Sequence, residues 1–423
     1  MVTEVLFFSL VILFVMNVPI AICIGLASFL ALYVNSTIPM IVIAQRMFTS
    51  IDSFTLLAIP LFMIAGRLME HGGISKRLIN LSSNVVGGFW GGLGQVGVLA
   101  CMLFASMTGS APATVVAIGS IMIPAMIAEG YDKAFSVALL ASAGIIGVIL
   151  PPSILFVTYG VTFSASIGRL FVAGIIPGIT MGLSLMLVCY IVARKRGWKG
   201  STQPSLNGFL KSFRDSIWGL LMPVVILGGI YSGLFTPTES AAVACIYSII
   251  VGVFIYKELS FKNFITSLYE AGTTSAMVLF IIATANVMSW VMTTEAIPIR
   301  IATAITNFAD TPGMLLLTLN LVLLAIGCFM EPNSAIIILG PILMPILQQM
   351  GIDLIHFGVI MVVNLAISMI TPPLCVNLFV GQSIQKNVPI KDIVLAAIPM
   401  FLILVVNLFL FTYFPSISLF FLN

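Results

Sequence analysis

The chain has 423 residues, 60% of them hydrophobic and 7% charged, and its mean hydropathy is +1.21. A soluble domain carries about 25% charged residues, so a water-soluble globular protein is excluded. The net charge of +3 supplies no basic stripe for nucleic acid, and six scattered cysteines with two histidines form no metal-ligand spacing or disulfide framework.

Apolar stretches of about 18 residues or more recur along the whole chain, which marks an all-α polytopic membrane protein embedded in a lipid bilayer. The N-terminus, MVTEVLFFSL, lacks a basic n-region and a small-residue cleavage site, and its apolar run continues to Val34. It is expected to be a retained first span over residues 4–34 rather than a signal peptide. Segment 38–50 is amphipathic, and a span follows at 54–69. Segment 76–86 is again amphipathic, ahead of an apolar pair, 89–107 with 112–128. Spans are expected at 133–164 and 168–193, then a polar loop from Arg194 to about Asp215, then spans at 216–235 and 239–256. Segment 262–272 precedes a span at 275–292, and segment 297–308 precedes a second apolar pair, 312–329 with 334–349. Spans at 354–380 and 390–413 close the chain. The four amphipathic segments lie in the interface plane or are ordinary loops with helical character. Each apolar pair leaves and returns on one side, as two spans or as a re-entrant hairpin.

The basic residues give the topology. Arg67, Lys76, Arg77, Lys133, Arg194, Lys195, Arg196, Lys199, Lys211, Arg214, Lys257, Lys262, Lys386 and Lys391 fall on one side, 14 in all. Only Arg46, Arg169 and Arg300 fall on the other. The richer side is expected to be cytoplasmic, with the N-terminus inside and the C-terminus outside.

Sliding the chain by 221 residues lays 104–160 on 325–381 without a gap. Gly119, Pro124, Gly130, Asp132, Pro151, Pro152 and Gly160 then meet the same residue type at Gly340, Pro345, Gly351, Asp353, Pro372, Pro373 and Gly381. By the topology above, the first pair enters from the cytoplasm and the second from outside, so the repeats are inverted. Inverted repeats with interrupted helices mark secondary transporters, whose site lies at the repeat interface.

Both breaks, GVILPPS at 147–153 and SMITPPL at 368–374, place a double proline in an apolar helix. Proline has no N–H, so carbonyls one turn earlier are freed, and such backbone must be buried in protein or line a wet cavity. Carbonyls near Gly147 with the Ser153 hydroxyl, and carbonyls near Ser368 and Thr371 with the Thr371 hydroxyl, form hard oxygen cages suited to Na⁺. Asn364 and Asn377 flank the second cage. A plain proline kink satisfied by neighbouring helices is the alternative.

The turns of the two pairs are small and polar. The first runs from Ser106 through Thr108, Gly109, Ser110, Ala111 and Pro112 to Thr114, and the second from Gly327 through Glu331, Pro332 and Asn333 to Ser334. Each stands just before a helix start, where exposed N–H groups attract anions. Two such N-termini meeting at mid-membrane make an anion site; short surface loops between full spans are the alternative. Glu331 either brings negative charge to a cation or fixes its tip as a first-turn acid. Glu239 and Asp52-Ser53 read as helix caps, and Arg67 with Glu70 and Glu295 with Arg300 as interfacial pairs. No Walker motif, catalytic triad or paired carboxylate is present, which argues against an ATPase or an enzyme.

The segments TGSAPATVVAIGSIMIPAM, GVILPPSI, LLAIPLFMIAGRLMEHGGI and MEPNSAIIILGPILMPI resemble the large membrane (M) subunit of tripartite ATP-independent periplasmic (TRAP) transporters over essentially the whole chain. The resemblance implies an elevator-type transporter with two re-entrant helical hairpins and two broken helices, in the bacterial inner membrane. Residues 89–164 and 312–381 would form the moving part; 1–88 and 165–311 would be scaffold and arm helices, and 382–423 a C-terminal scaffold helix. It implies Na⁺ as coupling ion at Ser106, Ser110, Gly147, Ser153, Glu331, Ser368 and Thr371. Substrate would sit between the tips, at Thr108, Gly109, Ser110, Ala111, Pro112, Asn333 and Ser334. The cargo would be an organic acid, of the sialic acid type ahead of the C4-dicarboxylate type. A small four-helix membrane subunit, expected as a separate chain, and a periplasmic substrate-binding protein would complete the system. A self-sufficient sodium/dicarboxylate symporter, an ion channel and an enzyme working within the membrane are the competing readings.

Overall fold

The computed structural model describes residues 2–16, 18–34, 39–200, 205–297 and 311–422; among these every regular element is a helix. Arg300 and nearly all of the amphipathic segment 297–308 lie outside the described residues. Among the described residues seven helical stretches are long and apolar enough to cross a membrane, the longest being Phe261–Thr294.

The first apolar run differs from expectation. It is two helices, Val2–Val15 and Ile20–Val34, packed against each other. Pro19 explains the division, because it cannot donate to a preceding turn and its carbonyl instead accepts from Ile22 and Cys23 at the start of the second helix. At 1.5 Å per residue, helices of 14 and 15 residues fall short of a ~30 Å hydrocarbon core. Segment 262–272 is the opening of the continuous 34-residue helix Phe261–Thr294, started by Ser260, whose hydroxyl accepts from Asn263 N at 3.2 Å. The polar stretch before Asp215 is helical from Leu206, within Leu206–Tyr231. Segments 38–50 and 76–86 carry the separate short helices Ile41–Ile51 and Ile74–Val86.

The two apolar pairs are helical hairpins. The first has legs Gly92–Thr108 and Ala111–Ala128, and the second Pro312–Gly327 and Pro332–Gln349. Both double-proline segments interrupt their helices. Lys133–Gly144 passes through a 3₁₀ turn to residue 148 and restarts as Ile154–Thr162; Leu354–Ser368 restarts as Val376–Ile384. The repeat extends to the helix starts, where Asp132 caps through Phe135 N at 2.8 Å and its counterpart Asp353 through Ile355 N at 2.7 Å.

The repeats interlock reciprocally. The inner leg Ala111–Ala128 packs on Val376–Ile384, and the inner leg Pro332–Gln349 packs on Ile154–Thr162. Each hairpin therefore rests on the terminal half-helix of the other repeat. The long helix Phe261–Thr294 packs against Pro332–Gln349, Ala58–His71 and Ile20–Val34.

Candidate functional site

The first tip turns at Gly109, whose φ of +62° lies in the left-handed region that favours glycine. A side chain there would also strike the Pro152 carbonyl. The tip is tied to the broken helix behind it, because Ile154 N reaches Gly109 O at 3.5 Å. Gly147 completes this contact. A Cβ at Gly147 would stand 2.7 Å from both Ser110 O and Thr114 Oγ1, so the approach exists only because residue 147 is glycine. Thr114 Oγ1 donates to Ser110 O at 2.8 Å and lies 3.3 Å from Thr108 Oγ1.

Ser110 is the N-cap of Ala111–Ala128, in extended backbone, and its side chain makes no capping hydrogen bond. Pro112 has no N–H, and the first-turn N–H groups of Ala111 and Ala113 have no partner within the helix. This helix start is open.

The second tip has the opposite chemistry. Glu331 is the N-cap of Pro332–Gln349 and accepts from Ser334 N at 3.0 Å, Ser334 Oγ at 3.3 Å and Asn333 Nδ2 at 2.7 Å. The carboxylate thus closes the helix start that the sequence offers as a second anion site; only the first tip leaves its N-terminus open. Glu331 does fix its tip. Asn333 also accepts from Thr158 Oγ1 at 2.9 Å, a buried bond joining the second tip to the first broken helix.

Both tips face one cavity of about 540 Å³. Gly109, Ser110, Ala111 and Pro112 line it from the first repeat, and Glu331, Asn333 and Ser334 from the second. The facing wall is the Phe261–Thr294 helix, which brings Thr274, Met277 and Ile281. Thr108 and Ser110 also line a small adjoining space of about 40 Å³ beside Arg67. Arg67 pairs with Glu70 at 2.9 Å, as expected, and has Glu270 at 3.6 Å.

The remaining sequence-chosen residues lie off the cavity. Ser153 is fully buried; its hydroxyl donates to Val148 O at 2.5 Å and accepts from Phe156 N at 3.2 Å. Ser368 donates to Leu365 O at 2.6 Å with its Oγ against Gly327, and Thr371 donates to Ile367 O at 2.9 Å. Hydroxyls that donate backward in this way leave lone pairs on the oxygen. Ser106 donates to Leu103 O at 2.8 Å, one turn before the tip. Asn364 and Asn377 are buried, and each keeps an amide oxygen with no partner. Glu239 caps as expected, through a full capping box with Thr236, whereas Ser53 starts its turn without a side-chain cap bond.

Reasoning from sequence missed Thr158 and the cavity face of Phe261–Thr294, and placed Thr114 at the first tip without giving it a role. Thr114 follows Ser110 by four residues, so helical spacing was a usable signal. Thr158 meets a partner 175 residues away, which no local spacing reveals.

Comparison with known proteins identifies the fold around this cavity. Residues 7–417 match the family described as "Tripartite ATP-independent periplasmic transporter, DctM component". The isethionate TRAP transporter permease protein DctMQ of Oleidesulfovibrio alaskensis is 46% identical over 99% of the chain, which spans 66% of that relative. The C4-dicarboxylate TRAP transporter large permease protein DctM of Pseudomonas aeruginosa is 46% identical over 89% of the chain and 88% of its own length. The solved YdaH transporter of Alcanivorax borkumensis shares the fold, with a TM-score of 0.62 over 91% of this chain and 89% of that one at 14% identity. With this extent of match and two polar hairpin tips meeting in one cavity, the chain belongs to the DctM family of tripartite ATP-independent periplasmic transporter components.

Proposed function

We propose that the chain is the large permease of a sodium-coupled transporter that brings an organic acid across the bacterial inner membrane. The observation that carries this reading is the cavity shared by the two tips, one with an open helix N-terminus and one with a fixed carboxylate. The acid's carboxylate or sulfonate docks at Ser110 and the free N–H groups of Ala111 and Ala113. Asn333 and Ser334 bound the far side. Relatives named for isethionate and for C4-dicarboxylates favour a small acid. The donor set fits Na⁺. At the first break, Ser110 O and Thr114 Oγ1 stand where a Gly147 side chain would reach, beside the interrupted helix at 145–153, and unwound backbone at such breaks holds cations in other transporters. At the second break, Ser368 Oγ lies against Gly327 of the tip, and the Ser368 and Thr371 hydroxyls, donating backward, keep oxygen lone pairs.

Residues 89–164 and 312–381 move together as the transport body, an elevator motion supported by the reciprocal packing of hairpins and half-helices. Ile175–Arg196 and Ile390–Tyr413 pack on this body and travel with it, and the remaining helices are scaffold. A small membrane subunit and a periplasmic binding protein complete the tripartite system. The side rich in Lys and Arg is cytoplasmic. The N-terminal side no longer follows from that count, because the first apolar run is two packed helices.

Uptake into sealed vesicles carrying the chain and its two partners tests the reading. Concentrative uptake that needs both a sodium gradient and the binding protein is expected. Downhill flux without sodium would make the chain a channel, and full uptake without the binding protein would make it a self-sufficient symporter.

A further inference from the structure

A second cavity, larger than the one between the tips, lies away from them. It measures about 1050 Å³ and opens between the short helix Ile74–Val86 and the start of Leu206–Tyr231. Lys76, Arg77, Lys211 and Arg214 line it, with Asp215 and Glu258 as the acidic groups. Arg77 is spoken for: it pairs with Glu258 at 2.7 Å and lies 3.9 Å over the Tyr256 ring. Among the described residues Lys76, Lys211 and Arg214 have no acidic partner, so the lining keeps a positive excess. Asn80, Asn84 and Ser212 add hydrogen-bonding groups. All four cations belong to the basic-rich side of the sequence count.

The rim has the character of a membrane interface. Trp218 lines the cavity and is 43% exposed, where an amphipathic ring suits the headgroup level. On the same helix Leu206, Leu210 and Phe213 are exposed beside the polar lining, the two-faced pattern of a helix lying in the interface. Basic pockets between helices on the cytoplasmic side take anionic headgroups. We propose that this cavity binds the phosphate-bearing headgroup of an anionic phospholipid, held by Lys76, Lys211 and Arg214, with the acyl chains along Trp218 and Phe213.

Native mass spectrometry of the purified chain in an equimolar mixture of phosphatidylglycerol and phosphatidylcholine tests this. Retention of phosphatidylglycerol is expected, falling about fivefold for each cation removed in Lys211→Ala and Lys211→Ala/Arg214→Ala. Both side chains are exposed, and thermal unfolding checks that the fold survives. Lys262→Ala/Lys386→Ala removes the same charge from exposed sites outside the cavity and is expected to leave retention unchanged. An equal loss in both double variants would overturn the site. Inorganic phosphate raising the unfolding temperature as much as phosphatidylglycerol would assign the cavity to a free anion and overturn the lipid.

Discussion

The two hairpin tips share a backbone and differ in chemistry. Both turn before a helix start, both lean on a cis-proline break, and both reach one cavity. In each, a peptide N–H just past the prolines binds a tip carbonyl: Ile154 N to Gly109 O at 3.5 Å, and Leu374 N to Cys328 O at 3.2 Å. The side chains then diverge. Ser110 leaves its helix start open, and Glu331, at the matching position of the repeat, closes its own. Close approach is also solved in opposite ways. In the first repeat the glycine is on the broken helix, Gly147, facing the Ser110 carbonyl; in the second the glycine is on the hairpin, Gly327, facing Ser368. The repeated backbone thus carries one tip with an open helix start and one capped by its own carboxyl side chain.

Substituting the matched positions 147 and 368 breaks the comparison most sharply. Gly147→Val drives a branched side chain into Ser110 O and Thr114 Oγ1, an overpacking of about 1–3 kcal/mol, and is expected to abolish uptake. Ser368→Ala loses one bond to Leu365 O and is expected to keep most uptake. Thermal unfolding and vesicle uptake read both; equal effects at the two positions would dissolve the asymmetry. Next in size is Glu331→Gln. It retains an acceptor for Ser334 N but removes the charge, so the sodium concentration for half-maximal uptake is expected to rise about tenfold; an unchanged sodium curve would leave Glu331 only a capping role. Smallest is Thr158→Val, which strips the donor from Asn333 Oδ1 at a cost of about 1–3 kcal/mol. Its expected signature is a several-fold higher KM at nearly constant kcat, and a loss confined to kcat would contradict a role in positioning the second tip.

Much of this was legible in the sequence because backbone demands leave residue-type marks. Double prolines and matched glycines, prolines and aspartates marked both breaks and the repeat, and small polar turns marked the two apolar pairs that the structure shows as hairpins. The first apolar run misled, since a single Pro19 inside continuous hydrophobicity did not show whether the chain bends or folds back. Side-chain roles were less legible. Glu331 reads equally as cap or cation ligand until Ser334 and Asn333 are seen around it, and Ser153 looks free until Val148 O and Phe156 N claim its hydroxyl. Thr158 was hidden because its partner comes from the other repeat.

The most direct measurement places a carboxylate on the open tip. Ser110→Asp makes the first helix start resemble the second, supplying a cap worth about 0.5–2 kcal/mol at a position with none. Paired thermal unfolding and vesicle uptake should give a protein at least as stable as the parent with uptake reduced 100-fold or more, on the order of 3 kcal/mol of lost anion binding. Uptake preserved in a folded Ser110→Asp protein would mean that the first tip is not where the acid docks.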